Sequence, residues 1–290
     1  MSSLGYEIVD VFTDRPFAGN PLAVVIGAEQ LATDQLQALA REFNLSETVF
    51  LLPADAAGAS YRVRIFTPER ELAFAGHPSI GAAVVAARRG LVRPGDLVQE
   101  CGAGLLPVRL SEHGHATLTG GEPVVGPPVD AAPLLAAVGL GPAEHTGPPP
   151  RRAGCGLEFD YLCVRTEAVA QAVLDPAAAL RAGVQLISVF AWEPDGPGAH
   201  ARVFCPGAGV VEDPATGSAA LGLGLWAVAS GLLPANGQSR YTVRQGAQLH
   251  RPSRLDCTVT ALGGRARAAT VTGEVVPIAT GQIAVPPFVG

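Results

Sequence analysis

The chain repeats itself. Arg64-Ile65-Phe66-Thr67-Pro68 recurs as Arg202-Val203-Phe204-Cys205-Pro206, 138 residues later. After three additional residues the spacing becomes 141 and holds: Glu71 with Glu212, Gly76-His77 with Gly217-Ser218, Gly81 with Gly222, and Gly90-Leu91 with Gly231-Leu232. One spacing kept through a strand, a loop, a helix and its stop means two related halves. Each half presents a strand, a loop and a helix that opens on glycine and a polar residue. The fold must therefore be one that 290 residues can build twice, and that length also suits two domains.

The repeated helices are unusual in composition. Residues 217–230 are apolar nearly all round, and so are 78–87 apart from Ser79. Helices without a polar face are buried, and these are too short to cross a bilayer. Around the first, alternation and turn residues predict strands at 6–12 and 22–26, separated by a turn at 15–21. A helix follows over 33–43 with Thr33 as its N-cap and Asn44 as its stop, then strands at 48–53 and 60–66. Gly90 ends the first core helix, and strands near 97–100, 105–110 and 115–119 close the first half. In the second half strands are expected at 159–165, 184–190 and 200–204 and from Tyr241 onward, with helices at 167–174 and 217–230. A Pro/Gly-rich interval near 120–128 marks the boundary, giving lobes 1–122 and 123–290, with a strand at about 280–290 a candidate to return to the first. Short strands with few helices indicate an α+β fold and not a doubly wound sheet.

Composition removes several function classes. No lysine occurs in the sequence. A Walker-type phosphate loop and a pyridoxal Schiff base both need a primary amine, so both are excluded. A net charge of -6 gives no basic footprint for nucleic acid or an anionic membrane surface. The opening MSSLGYEIVDVF has no secretory pattern, so a cytoplasmic location is expected. Cys101, Cys155, Cys163, Cys205 and Cys257 are widely spaced, with no metal-binding pattern, and read as free buried thiols. A small molecule is the expected partner, and no metal is expected.

Chemistry is expected at the first turns of the two core helices. A helix start exposes unpaired N–H groups and about half a positive charge, and Gly76 and Gly217 let a ligand approach the backbone closely. Three groups could move protons. Glu47 lies between a helix and an apolar strand, where partial desolvation would raise a carboxylate's pKa and suit a general base. His77 occupies the first helix start, and Asp213 lies just ahead of the second. From spacing alone, Glu47 could equally be a capping carboxylate, Asp213 a turn residue and His77 a core imidazole.

These residues carry a family likeness. Asp10-Val11-Phe12 with Phe17-Ala18-Gly19-Asn20-Pro21-Leu22-Ala23-Val24-Val25, then Asn44-Leu45-Ser46-Glu47-Thr48, Arg64 through Gly76-His77-Pro78, and Glu212-Asp213-Pro214-Ala215-Thr216-Gly217-Ser218-Ala219 resemble the PhzF-like family, relatives of phenazine-biosynthesis isomerases. The resemblance covers almost the whole chain. It implies two pseudo-symmetric lobes of diaminopimelate epimerase-like fold, each a sheet wrapped around a central helix, with the active site in the cleft between them. It also implies cofactor-free proton transfer on a small carboxylated metabolite, with Glu47 as the single acid/base group. Gly76-His77 and Gly217-Ser218 would bind the anion, Asp213 would assist, Asn20 would line the site, and a homodimer would be the form.

The departures are specific. Epimerases of this fold place a cysteine before each glycine, where this chain has Ala75 and Thr216, so two-thiol epimerisation is not expected. Ala75-Gly76-His77-Pro78-Ser79 replaces the frequent Cys-Gly-His-Ala-Thr, and Arg244 and His250 depart from the usual residues beside Gln245-Gly246. Two rivals remain on these grounds: a non-catalytic carboxylate-binding protein, and a hydrolase using Cys205 or Cys155.

Overall fold

A computed structural model describes residues 2–193, 196–208 and 210–287. The chain divides into two compact units, Met1–Thr119 with Thr272–Gly290, and Gly120–Val271. In the first, the elements are β1 (Ser3–Val11), β2 (Asn20–Ile26), α1 (Thr33–Phe43), β3 (Thr48–Leu52), β4 (Tyr61–Phe66), β5 (Glu71–Leu72), α2 (Gly76–Arg88), β6 (Gly95–Cys101), β7 (Gly104–Leu110) and β8 (His115–Thr119). In the second they are β9 (Val124–Pro128), α3 (Ala131–Ala137), β10 (Arg151–Gly154), β11 (Glu158–Cys163), α4 (Thr166–Gln171), α5 (Pro176–Ala182), β12 (Ile187–Trp192), β13 (Gly198–Cys205), β14 (Val210–Asp213), α6 (Gly217–Ala229), β15 (Gly237–Gln245) and β16 (Ser253–Leu262). The last strand, β17 (Arg265–Ala284), starts in the second unit and contributes its residues from Thr272 onward to the first.

Strand pairing in the first unit closes a ring. β17 pairs with β1, β1 with β2, β2 with β3, β3 with β4, β4 with β6, β6 with β7, β7 with β8, and β8 with β17. β2/β3 and β4/β6 are parallel, as each of those connections carries a helix. The second unit repeats the senses: β10/β11 antiparallel, β11/β12 parallel, β12/β13 antiparallel, β13/β15 parallel and β15/β16 antiparallel. Each unit is thus an α+β sheet wrapped around a central helix.

That helix is buried because nothing on it requires water. In α2 every residue from Gly76 to Ala86 is buried, and in α6 every residue from Gly217 to Val228. The glycines at matching positions are contact points: a methyl group on Gly81 would collide with the Leu22 side chain, and one on Gly222 with the Tyr161 hydroxyl. Both helices stop in the same way. Gly90 N–H bonds Ala87 O and Leu91 N–H bonds Ala86 O, while Gly231 N–H bonds Val228 O and Leu232 N–H bonds Ala227 O. With Gly90 and Gly231 at φ +72 and +74, this is the left-handed glycine stop that the repeated Gly-Leu pair encodes.

The repeat's Arg and Glu also have a physical reason. Arg64 on β4 makes a two-pronged pair with Glu71 on β5 at 2.7 Å and stacks over Phe66, 5.2 Å from the ring centre. Arg202 does the same with Glu212, at 2.8 and 2.6 Å, and stacks over Phe204 at 5.0 Å. The paired guanidinium braces the hairpin that leads into each core helix.

Some boundaries differ from expectation. Ala32, not Thr33, caps α1: Gln35 Oε1 accepts from Ala32 N–H, and the Thr33 hydroxyl is taken by Arg64 Nη2. The Pro/Gly-rich interval read as a boundary contains β9, which pairs with β10, and α3 and α5 fill stretches left unassigned in the sequence. Asp130 and Asp175 cap those two short helices by accepting from Ala132 and Ala178 N–H. The Arg202–Glu212 pair, with side chains 10% and 8% exposed, is far more buried than Arg64–Glu71 at 26% and 38%. Arg202→Ala should therefore cost about 3–5 kcal/mol in urea denaturation and Arg64→Ala about 1 kcal/mol or less; equal costs would show that burial does not set the value of these pairs.

Candidate active site

The turn into β2 builds one side of the site. Gly19 has φ +67, and a side chain there would run into Val11 O. The turn sets Asn20 opposite Val11 at the head of β2, fully buried. Asn44 ends α1 in the left-handed region at φ 51, and four residues later, at Thr48, the chain enters β3. Because β3 runs parallel to β2 with Thr48 beside Ala23, Glu47 arrives at the same end of the sheet as Asn20. His77, the second residue of α2, completes the group.

The three side chains meet. Asn20 Nδ2 lies 3.3 Å from His77 Nδ1, and His77 Nε2 lies 3.5 Å from Glu47 Oε2. Burial pushes the His77 imidazole down to about 3, so the ring is neutral at physiological pH. An amide nitrogen can only donate, so His77 Nδ1 accepts and the ring hydrogen sits on Nε2, facing Glu47. The His77 side chain is 5% exposed and that of Glu47 17%, so the carboxylate is the better solvated of the two. Pro78 has no N–H, so the first-turn donors of α2 that lack an acceptor within the helix are those of Gly76 and His77.

A buried polar chain supports that turn. Tyr61 Oη donates to Gln99 Oε1 at 3.3 Å, Gln99 Nε2 donates to Ser79 Oγ at 2.9 Å, and Ser79 Oγ donates to Ala75 O at 2.8 Å. Residues 61, 79 and 99 were invisible as a group because they lie on three elements, although a serine in an otherwise apolar helix start was a signal.

Asp213, Gly217 and Ser218 lie at the start of α6 in the second unit. The Thr216 hydroxyl donates to Asp213 Oδ2 at 2.6 Å, and Gly217 and Ser218 are buried in the first turn. Tyr161 and Tyr241 hydroxyls donate to Ala219 O and Ala220 O at 2.7 and 2.8 Å, bracing this helix as Ser79 and Gln99 brace α2. The residues just before the glycines, Ala75 and Thr216, are the N-caps of the two helices, so neither helix start carries a thiol. Four of the five cysteines are buried and none is disulfide-bonded; burial raises the Cys155 and Cys163 thiols to about 11. Among the described residues no His/Cys/Asp/Glu cluster could hold a metal ion, and no helix is long and apolar enough to cross a membrane.

Comparisons with known proteins cover nearly the whole chain. A protein of Mesorhizobium japonicum described as an uncharacterized isomerase is 35% identical, over 98% of this chain and 99% of that one. The trans-2,3-dihydro-3-hydroxyanthranilate isomerase of Pseudomonas aeruginosa is 32% identical, over 96% and 98%. The crystal structure of a Bacillus anthracis phenazine biosynthesis protein of the PhzF family has the same fold, with a TM-score of 0.87 at 23% identity over 98% of this chain and 100% of that one. Fold and relatives together define an isomerase of the α+β class. The family model described as phenazine biosynthesis-like protein matches residues 9–281, and the chain belongs to that family, as its motifs indicated.

The neutral state of His77 has a measurable consequence. Unfolded histidine takes up a proton near pH 6.5 and folded His77 only near 3, so the unfolded state binds more protons between those values. Stability is therefore lost as pH falls through that window. Between pH 7 and 5 the wild type should lose on the order of 2 kcal/mol more than His77→Gln in urea titrations; matching slopes would mean that His77 charges in the folded protein.

Proposed function

We propose that this isomerase moves a proton on a small carboxylated metabolite, with Glu47 as the single acid/base group. The observation that carries the reading is the Glu47 carboxylate set 3.5 Å from a neutral, Asn20-anchored His77 at a helix start. A charged imidazolium there would hold the carboxylate in its ionised form and weaken it as a base. The neutral ring orients Glu47 without that penalty.

In the proposed reaction Glu47 takes a proton from a carbon made acidic by an adjacent unsaturated or carboxyl group. The protonated carboxyl then returns it at an allylic or opposite position. A positioned base supplies about a hundred- to ten-thousandfold. The rest must come from donors aimed at the developing anion, and the Gly76 and His77 N–H groups, with the dipole of α2 behind them, have that chemistry. On its own unit the start of α6, with Gly217 and Ser218, would bind an anionic group in the same way, with Asp213 accepting hydrogen bonds beside it.

Ala75 and Thr216 favour one base over two, since a two-thiol exchange needs a cysteine at each of these caps. Trans-2,3-dihydro-3-hydroxyanthranilate, the compound in the name of the Pseudomonas relative, is the first substrate to try, followed by a metabolite mixture in heavy water. Wild type should show deuterium uptake into the substrate, and Glu47→Gln should abolish it while binding changes by less than about threefold. Uptake that survives in Glu47→Gln removes the assignment. Iodoacetamide at pH 7.5 should leave turnover intact, because Cys205 is buried and a Cys155 thiol raised to about 11 is almost entirely protonated there; inactivation would favour a cysteine mechanism instead.

A further inference from the structure

Gln245, the last residue of β15, is 2% exposed and uses its carboxamide entirely on the segment that leads into α6. Its Nε2 donates to Asp213 O at 2.7 Å and to Thr216 Oγ1 at 3.0 Å, and its Oε1 accepts from Thr216 N–H at 3.2 Å. Both amide hydrogens are thereby engaged. The Thr216 hydroxyl, already an acceptor from Gln245, has its single hydrogen left for Asp213, and donates it to Oδ2 at 2.6 Å. The chain's direction at the amide is fixed by the backbone, since the Asp213 carbonyl can only accept and the Thr216 N–H can only donate. It presents Asp213 with a donor, which suits the carboxylate form and the role of acceptor.

Gly246 closes the same contact from the backbone. It has φ +77, and a side chain there would strike Arg251 O and Pro214 O, so the strand end lies directly against the 213–216 turn.

We propose that Gln245 is a positioning residue: its carboxamide sets the 213–216 turn, and through Thr216 the direction of the Asp213 carboxylate and of the first-turn N–H groups of α6. The proposal rests on the isomerase reading in which Asp213, Gly217 and Ser218 serve the substrate. It acts through other residues and touches no reacting atom.

Gln245→Glu tests it, because the replacement keeps the size and the acceptor but loses both N–H donors. Above the carboxyl range the new carboxylate faces the Asp213 carbonyl and the Thr216 hydroxyl; when protonated it can donate again. On the full-length protein alone, amide exchange at 216–218 should quicken by about tenfold at pH 8 while Gly231-Leu232 at the far end of α6 is unchanged. With the substrate that shows Glu47-dependent deuterium uptake, kcat/KM should fall about ten- to a hundredfold at pH 8 and recover at least about threefold, relative to wild type, at pH 5. Unchanged exchange, unchanged kcat/KM, or a loss equal at both pH values overturns the proposal. If Gln245→Glu does not fold, Thr216→Val removes only the hydroxyl link; a matching fall in kcat/KM supports the proposal and wild-type kcat/KM overturns it. Failure of the Glu47 assignment would show separately, as uptake persisting in Glu47→Gln, and leaves the exchange result readable.

Discussion

Each unit depends on enclosing a helix that has no polar face. Burying such a helix requires strands on every side, and a ring of strands can close around it only where side chains are small enough. Gly81 against Leu22 and Gly222 against Tyr161 are those points. An enclosed helix has a second property: its first turn cannot be satisfied by solvent along its flanks, so its N–H donors and the side chains beside them become part of a fixed polar group. The start of α2, with Asn20, His77 and Glu47, is the result in the first unit.

The two units reach the same architecture with different polar supports. In the first, Tyr61, Gln99 and Ser79 pass a chain of hydrogen bonds to the Ala75 carbonyl. In the second, two tyrosine hydroxyls bond helix carbonyls directly, and Gln245 holds the turn before the helix. What both keep is the Arg–Glu pair stacked on phenylalanine, which fixes the hairpin that feeds the helix. A bidentate, stacked guanidinium is a geometry lysine cannot supply, which fits a chain whose basic residues are all arginine.

Much of this could be read before any coordinates. The constant spacing located both core helices and their stops, and apolarity on all faces fixed their burial. The motif around Glu47 and His77 pointed to an isomerase family that the comparisons bear out. The errors fell where local signals are weak or borrowed. Thr33 looks like a cap, but its hydroxyl is used by Arg64 from another strand, and Gln35 serves Ala32 instead. The Pro/Gly-rich interval near 120–128 also holds β9, whose partner β10 lies further along the chain. Neither outcome follows from neighbours in sequence.

The sequence by itself determined the duplication, the α+β class, the all-apolar central helices and the residue types at their starts, because spacing and side-chain polarity are properties of the chain. Tertiary structure alone decided that Asn20 and Glu47 meet at the His77 ring, that this ring is neutral, and that Gln245 grips the turn beside Asp213. Those facts depend on strand register and on burial. Register brings residues 57 and 30 positions apart within 3.5 Å of one another, and burial sets the cost of a charge; neither is written in the order of the residues.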